Sequence, residues 1–305
     1  MQVIQRAVTG GKTMICLGAG NFGTKTSKEE AFRIMDRYLE LGGVMIDTAN
    51  VYARWGVEKE NLSEQYIGQW LADRRVKEKM KVATKGGHYD LETPDVSRIR
   101  RDCIRKDLEE SLRCLGLERI ELYWVHKDDR SVSVEEIVDW MEELVKEGLI
   151  VNYGASNMKL DRAEQARQYA REKGLNGFCA MQNRFTLPVV NPGHKIWQDP
   201  GTVIPDADYR KWHAEHQVPL YAYSSLSQGF YAKWSEGSLT EPLKEMYLNE
   251  ETERIGRVLT KESKETGLSY AALTLRELMK QSFPVIPVAA VSRAEQLDEL
   301  ESVIP

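Results

Sequence analysis

Short apolar runs and longer stretches of helical period alternate along this chain from residue 14 to residue 301. The runs are rich in β-branched and aromatic residues, as buried strands are. They fall at 14–19, 44–49, 81–85, 120–126, 151–156, 179–183, 219–224 and 284–288. Helical spacing of apolar residues marks 28–41, 62–74, 99–115, 134–147, 160–173, 206–216, 252–266, 269–280 and 293–301. Strict strand–helix alternation implies a parallel sheet with helices outside it, because parallel neighbours need a crossover of helical length. Eight units predict an α/β fold closed into a (β/α)8 TIM barrel rather than an open doubly wound sheet. The 305 residues suit one such barrel, which typically takes about 250. No linker, repeat or low-complexity stretch divides the chain, so one domain over 1–305 is expected.

Boundary residues agree with this frame. Ser27 precedes Glu29 and Glu30, an N-cap followed by first-turn acids, and Asp161 and Ser269 read as further N-caps. Gly42, Gly43, Gly148 and Gly174 stand where helices should stop. Two longer irregular stretches, 187–205 and 228–248, are candidate covers for a pocket. The chain ends at Pro305, so a long tail folding over the pocket is not expected.

A formal charge of −5 disfavours a nucleic-acid partner, which calls for a basic stripe. The cluster 98–101 is interleaved with acids and reads as a solvated helix face. No run of about 18 apolar residues is present, so no membrane partner is expected. Cys16, Cys103, Cys114 and Cys179 form no CxxC pair, which fits a reduced, cytoplasmic setting and no zinc site. His126 with Asp128 offers too few ligands for a dedicated metal site, so no metal is expected. The GxGxxG string at Gly18, Gly20 and Gly23 is by itself a weak dinucleotide signal.

A β/α barrel builds its active site at the C-terminal strand ends. Every expected strand delivers a polar group there. Asp47, Lys85 and His126 end the second, third and fourth strands, and Tyr52 follows the second. Each alone has an ordinary structural reading. Together on neighbouring strands about 5 Å apart they form a titratable set. A phenol has a pKa of about 10, and a nearby ammonium is expected to lower it. Asp47 can hold Lys85 charged and oriented. Tyr52 then serves as general acid, while His126 donates to the same substrate oxygen. Proton delivery to a carbonyl oxygen needs hydride at its carbon, and only a cofactor supplies hydride.

These residues lie within LGAGNFG (17–23), IDTANVY (46–52), VATKGG (82–87) and LYWVH (122–126). YGASN (153–157), MQN (181–183), AYSSLSQG (222–229) and IPVAAVSRAEQLDEL (286–300) follow in order. Spread over nearly the whole chain, this set resembles the aldo-keto reductase family. The resemblance implies an NAD(P)H-dependent oxidoreductase that reversibly reduces an aldehyde, ketone or carbonyl sugar to an alcohol. It implies Tyr52 as general acid/base, tuned by Lys85 and Asp47, with His126 orienting the carbonyl. Gly20, Asn21 and Asp47 would border the cofactor. Ser156, Asn157 and Gln182 would bind its carboxamide, and Tyr223 would stack on the nicotinamide. Ser224, Leu226 and Gln228 would meet the pyrophosphate, and Ser292, Arg293, Gln296 and Glu299 the adenosine end. Ala289–Ala290 replaces a frequent Pro-Gly, and Gln296 stands where the family often has an arginine for the 2′-phosphate. Arg293 is the substitute, which favours NADP(H) and leaves NAD(H) as the alternative.

Trp55, Trp124, Lys127, Asp128 and Asp129 border the expected mouth. The tryptophans could simply pack, and the Lys-Asp-Asp run could be a solvated loop. Acids facing the pocket beside aromatic faces would suit a sugar, polyol or glycoside. A non-enzymatic cofactor-binding regulatory subunit on the same fold is the alternative function. The intact set of Asp47, Tyr52, Lys85 and His126 weighs against it.

Overall fold

The computed structural model describes residues 15–56 and 59–304. The segment 1–14, where no targeting pattern is read, and Pro305 lie outside them; so does Met14, the first residue of the first expected strand.

Eight parallel strands run β1 (Cys16–Gly18), β2 (Met45–Asp47), β3 (Lys81–Gly86), β4 (Ile120–Val125), β5 (Ile150–Ser156), β6 (Met181–Arg184), β7 (Leu220–Tyr223) and β8 (Val285–Ala289). They pair in sequence order and close into a barrel, with Cys16 opposite Val288 sealing β1 to β8. The α/β barrel read from the alternation is the observed fold. Around it lie α1 (Lys28–Glu40), α2 (Leu62–Arg74), α3 (Arg101–Leu115), α4 (Val134–Lys146), α5 (Leu160–Lys173) and α6 (Ala207–His216). After β7 come α7 (Phe230–Ser235), α8 (Glu241–Tyr247), α9 (Glu250–Thr266) and α10 (Tyr270–Met279).

Strand side chains alternate between two faces. Met45, Ala83, Leu122, Trp124, Ala180, Tyr221, Ile286 and Val288 form one apolar cluster that fills the barrel. Tyr123 and Val125 point the other way, into the larger cluster beneath the helices. The inward parity continues to Asp47, Lys85, His126, Gln182 and Tyr223 at the strand tops. Period-two alternation therefore aims these polar groups at one mouth.

The caps follow the sequence with one exception. Ser27 accepts from the Glu30 N–H and Ser269 from that of Ala272. Asp161 is not a cap: α5 starts one residue earlier, after Lys159, and the Asp161 carboxylate pairs with Arg130 instead. The stretch 228–248 is not irregular, since α7 and α8 occupy it. These helices span six and seven residues, too short for an amphipathic period to register. Pro242 stands in the first turn of α8, where its missing N–H costs nothing.

Gly154 of β5 lies against the filled interior. A Cβ there would approach the Trp124 ring at 2.4 Å and the Ala180 carbonyl oxygen at 2.6 Å. Gly154→Ala is expected to destabilise the fold by about 1–3 kcal/mol through overpacking. Urea denaturation checks this, and an unchanged midpoint would contradict the packing described.

Candidate active site

The mouth is organised around the Lys85 ammonium, which is 1% exposed. Its Nζ donates to Asp47 Oδ1 at 2.5 Å, to the Thr48 carbonyl oxygen at 2.6 Å and to the Tyr52 hydroxyl at 3.2 Å. Asp47 Oδ2 accepts from Trp124 Nε1 at 3.1 Å and from Gln182 Nε2 at 2.8 Å. Donors from β3, β4 and β6 thus fix one carboxylate of β2. The His126 ring lies 6.0 Å from that of Tyr52 at 79°, edge to face. Asp47, Tyr52, Lys85 and His126 meet at one site.

The charge states follow from burial and pairing. Burial works against the Lys85 ammonium, but Asp47 and Tyr52 outweigh it and hold its pKa above the ordinary value. Burial pushes the Tyr52 phenol up; Lys85 draws it down and Asp47 raises it again. The net direction is upward, which corrects the expectation of a lowered phenol pKa. Excluding water from the phenolate outweighs one cation whose charge Asp47 already offsets. Tyr52 is therefore protonated at neutral pH. Burial holds His126 neutral, reinforced by His88, Lys85 and Lys127. A neutral imidazole carries one N–H that can donate to a substrate oxygen.

The residues expected to meet the cofactor lie at the ends of β5, β6 and β7 and in the loops after β1 and β8. Ser156 and Asn157 are buried at the end of β5. Asn157 Oδ1 accepts from the Tyr223 hydroxyl at 2.8 Å, fixing that ring. The Gln182 amide nitrogen is taken by Asp47, so its carbonyl oxygen is the group left for a carboxamide. Beyond β7, Ser224, Ser227 and Gln228 all have left-handed backbone, at φ 57°, 48° and 56°. Leu226 before Ser227 is right-handed. The Ser227 and Gly229 N–H groups close turns on the Ser224 and Leu226 carbonyls, each at 2.8 Å, so the loop is tightly wound directly after β7. Gly20 lies against Tyr52, since a Cβ there would sit 3.7 Å from its ring. The Asn21 carbonyl closes the following turn by accepting from Thr24, Lys25 and Thr26. Arg293 and Glu299 are exposed, while Gln296 Oε1 caps the N–H groups of Ser292 and Arg293.

Three residues expected as substrate contacts are engaged by other residues of the chain. Trp124 is fully buried inside the barrel as a partner of Asp47. Asp128 is held by both Nε and Nη2 of the buried Arg162 on α5. Asp129 accepts from the Ser131 N–H and hydroxyl at 2.8 and 2.7 Å. These acids brace the β4–α4 loop. Trp55 is half-exposed at the rim, 5.8 Å from the Tyr52 ring.

Sequence reasoning passed over His88. Its ring lies 4.7 Å from that of His126 and 4.0 Å from that of Tyr89. Its position three residues beyond Lys85 was the available signal. A cavity of about 300 Å³ beside Lys85, His88 and Tyr89 is lined largely by charged residues, Arg54, Arg98, Asp107 and Glu110 among them, and neither Tyr52 nor His126 borders it.

The model of the aldo/keto reductase family matches residues 14–304. The chain belongs to that family. Over 93% of its length it is 30% identical to norsolorinic acid reductase stcV of Emericella nidulans, covering 72% of that protein. Over 93% of its length it is also 25% identical to an aryl-alcohol dehydrogenase [NADP(+)] of Phanerodontia chrysosporium, covering 76% of it. The structure of an aldo-keto reductase from Klebsiella pneumoniae in complex with NADPH superposes with a TM-score of 0.69. That match covers 96% of this chain and 89% of the other at 18% identity, a likeness of fold.

In this aldo/keto reductase the two mouth histidines couple stability to acid. Burial lowers His88 to about 4 and His126 well below its ordinary value. Both bind protons more readily once unfolded. Their contribution is complete above about pH 6.5 and declines towards pH 4. His88→Asn is expected to flatten the fall of Tm over that window. Parallel Tm–pH curves for the two proteins would contradict the assignment.

Proposed function

We propose that this chain is an NADP(H)-dependent carbonyl reductase in which Tyr52 delivers the proton. The carrying observation is Lys85 Nζ within hydrogen-bonding distance of both Asp47 and the Tyr52 hydroxyl. A bound nicotinamide dinucleotide supplies the hydride. The remaining work belongs to the chain's own residues. Tyr52, protonated at neutral pH, gives its proton to the carbonyl oxygen as that oxygen becomes basic. Lys85 stabilises the phenolate left behind, and Asp47 keeps Lys85 charged and aimed. His126, neutral and buried, donates to the same oxygen and fixes its direction. In the oxidative direction the same groups take the proton back. The exposed Arg293 supports the phosphorylated cofactor.

The substrate is an aryl aldehyde or ketone. Trp55 stands 5.8 Å from the Tyr52 ring and His88 4.7 Å from the His126 ring, and planar rings stack on such faces. The acids that would have favoured a sugar or polyol are bound by Arg162 and Ser131. Two relatives are named as a norsolorinic acid reductase and an aryl-alcohol dehydrogenase.

A 340 nm assay with both cofactors and a panel of aryl aldehydes, aliphatic aldehydes and aldoses tests this. Aryl carbonyls with NADPH should turn over best. Tyr52→Phe should lower turnover by about 10²–10⁴-fold with NADPH binding intact. Near-normal turnover in that variant overturns the role of Tyr52, and preferred reduction of aldoses overturns the substrate class.

A further inference from the structure

Arg184 ends β6 with the inward parity of Gln182, two residues before it, and lies opposite Tyr223 of β7. Its Nη1 donates to the Ser224 hydroxyl at 3.1 Å. Its Nη2 donates to the Tyr247 hydroxyl of α8 at 2.6 Å and to Met246 Sδ at 3.4 Å. Its Nε is buried with no partner. All of these acceptors are neutral, and among the described residues no carboxylate pairs with this half-buried guanidinium.

Arg162 shows the usual arrangement. It is also withdrawn from solvent, and Asp128 neutralises it at 2.8 Å. Withdrawing a cation from water without a counter-charge is costly, and an orphaned donor adds to the cost. An arrangement of this kind is expected where the counter-charge arrives with a ligand. The partners of Arg184 say where that anion would sit. Ser224 opens the β7 loop, in which Ser224, Ser227, Gln228 and Gly229 have left-handed backbone. The bond from Arg184 to the Ser224 hydroxyl places the cation at the start of that loop.

We propose that Arg184 is the counter-ion of the cofactor's diphosphate, and that its bond to Tyr247 makes α8 part of that site. This rests on the dinucleotide reading above. Asn191, seven residues on, donates through Nδ2 to the Glu245 carbonyl at 2.8 Å and through its N–H to that of Met246 at 2.8 Å. The β6–α6 loop and α8 thus form one body, with Arg184 as its charged link to the β7 loop.

The test is NADPH titration by fluorescence at two salt concentrations, with Tm measured in the absence of cofactor. Arg184→Met keeps a long side chain and removes the charge. It should weaken NADPH by about 10–100-fold, the loss expected for one charge-assisted hydrogen bond. It should also reduce the salt dependence of binding, and inorganic pyrophosphate should stabilise it less than the unsubstituted chain. Its cofactor-free Tm should be unchanged or higher, because an uncompensated charge has gone; a residue with a purely structural role would lower it. Arg184→Lys, keeping charge but not the fork, should bind NADPH with intermediate strength. If the methionine variant fails to fold, the lysine variant and the pyrophosphate response of the unsubstituted chain decide. NADPH affinity within about twofold across the folded variants overturns the inference alone. No NADPH binding by the unsubstituted chain overturns the dinucleotide reading first, and the inference with it.

Discussion

The buried ion pair of Lys85 and Asp47 is the constraint on which the rest of the site depends. Taking two charges out of water is costly, and their attraction repays it only when the remaining lone pairs and protons are also satisfied. Here Trp124 and Gln182 complete the carboxylate, and the Thr48 carbonyl and the Tyr52 hydroxyl complete the ammonium. Four chain segments must converge to do this, and a closed barrel is what brings β2, β3, β4 and β6 round one axis. The fold is thus the means by which a buried charge pair becomes tolerable. In the proposed reaction, the pair is what lets a phenol act as an acid.

The same polar mouth explains why water-excluding neighbours matter. Tyr52 stays protonated and His126 stays neutral because both are desolvated, so in the proposed reaction each would act as a hydrogen-bond donor. Trp55 stands beside Tyr52, and His88 and Tyr89 beside His126. Arg184 joins β6 to the β7 loop and to α8 through Ser224 and Tyr247.

Much of this was legible in the sequence. Period-two runs ending in Asp47, Lys85, His126 and Gln182 place those residues on one face of the sheet, and eight repetitions close the barrel. What escaped depended on partners far apart in sequence. Asp128 reads as a pocket acid until Arg162 on α5 is seen to take it. Trp124 reads as a rim aromatic until the inward parity of β4 is followed to Asp47. The direction of the Tyr52 shift could not be read from composition, because it depends on how far burial outweighs Lys85. α7 and α8 were too short to show a period, and so the role of Tyr247 beside Arg184 was hidden with them.

The most direct test of the account is the single-turnover rate of Lys85→Met with NADPH and an aryl aldehyde. Methionine fills a similar volume but leaves Asp47 without its counter-ion, so the rate is read on protein shown by Tm and NADPH titration to be folded and cofactor-bound. The account predicts a fall in the hydride-transfer rate of about 100-fold or more, since Tyr52 loses the cation that stabilises its conjugate base. A rate within about twofold of the unsubstituted enzyme would contradict it.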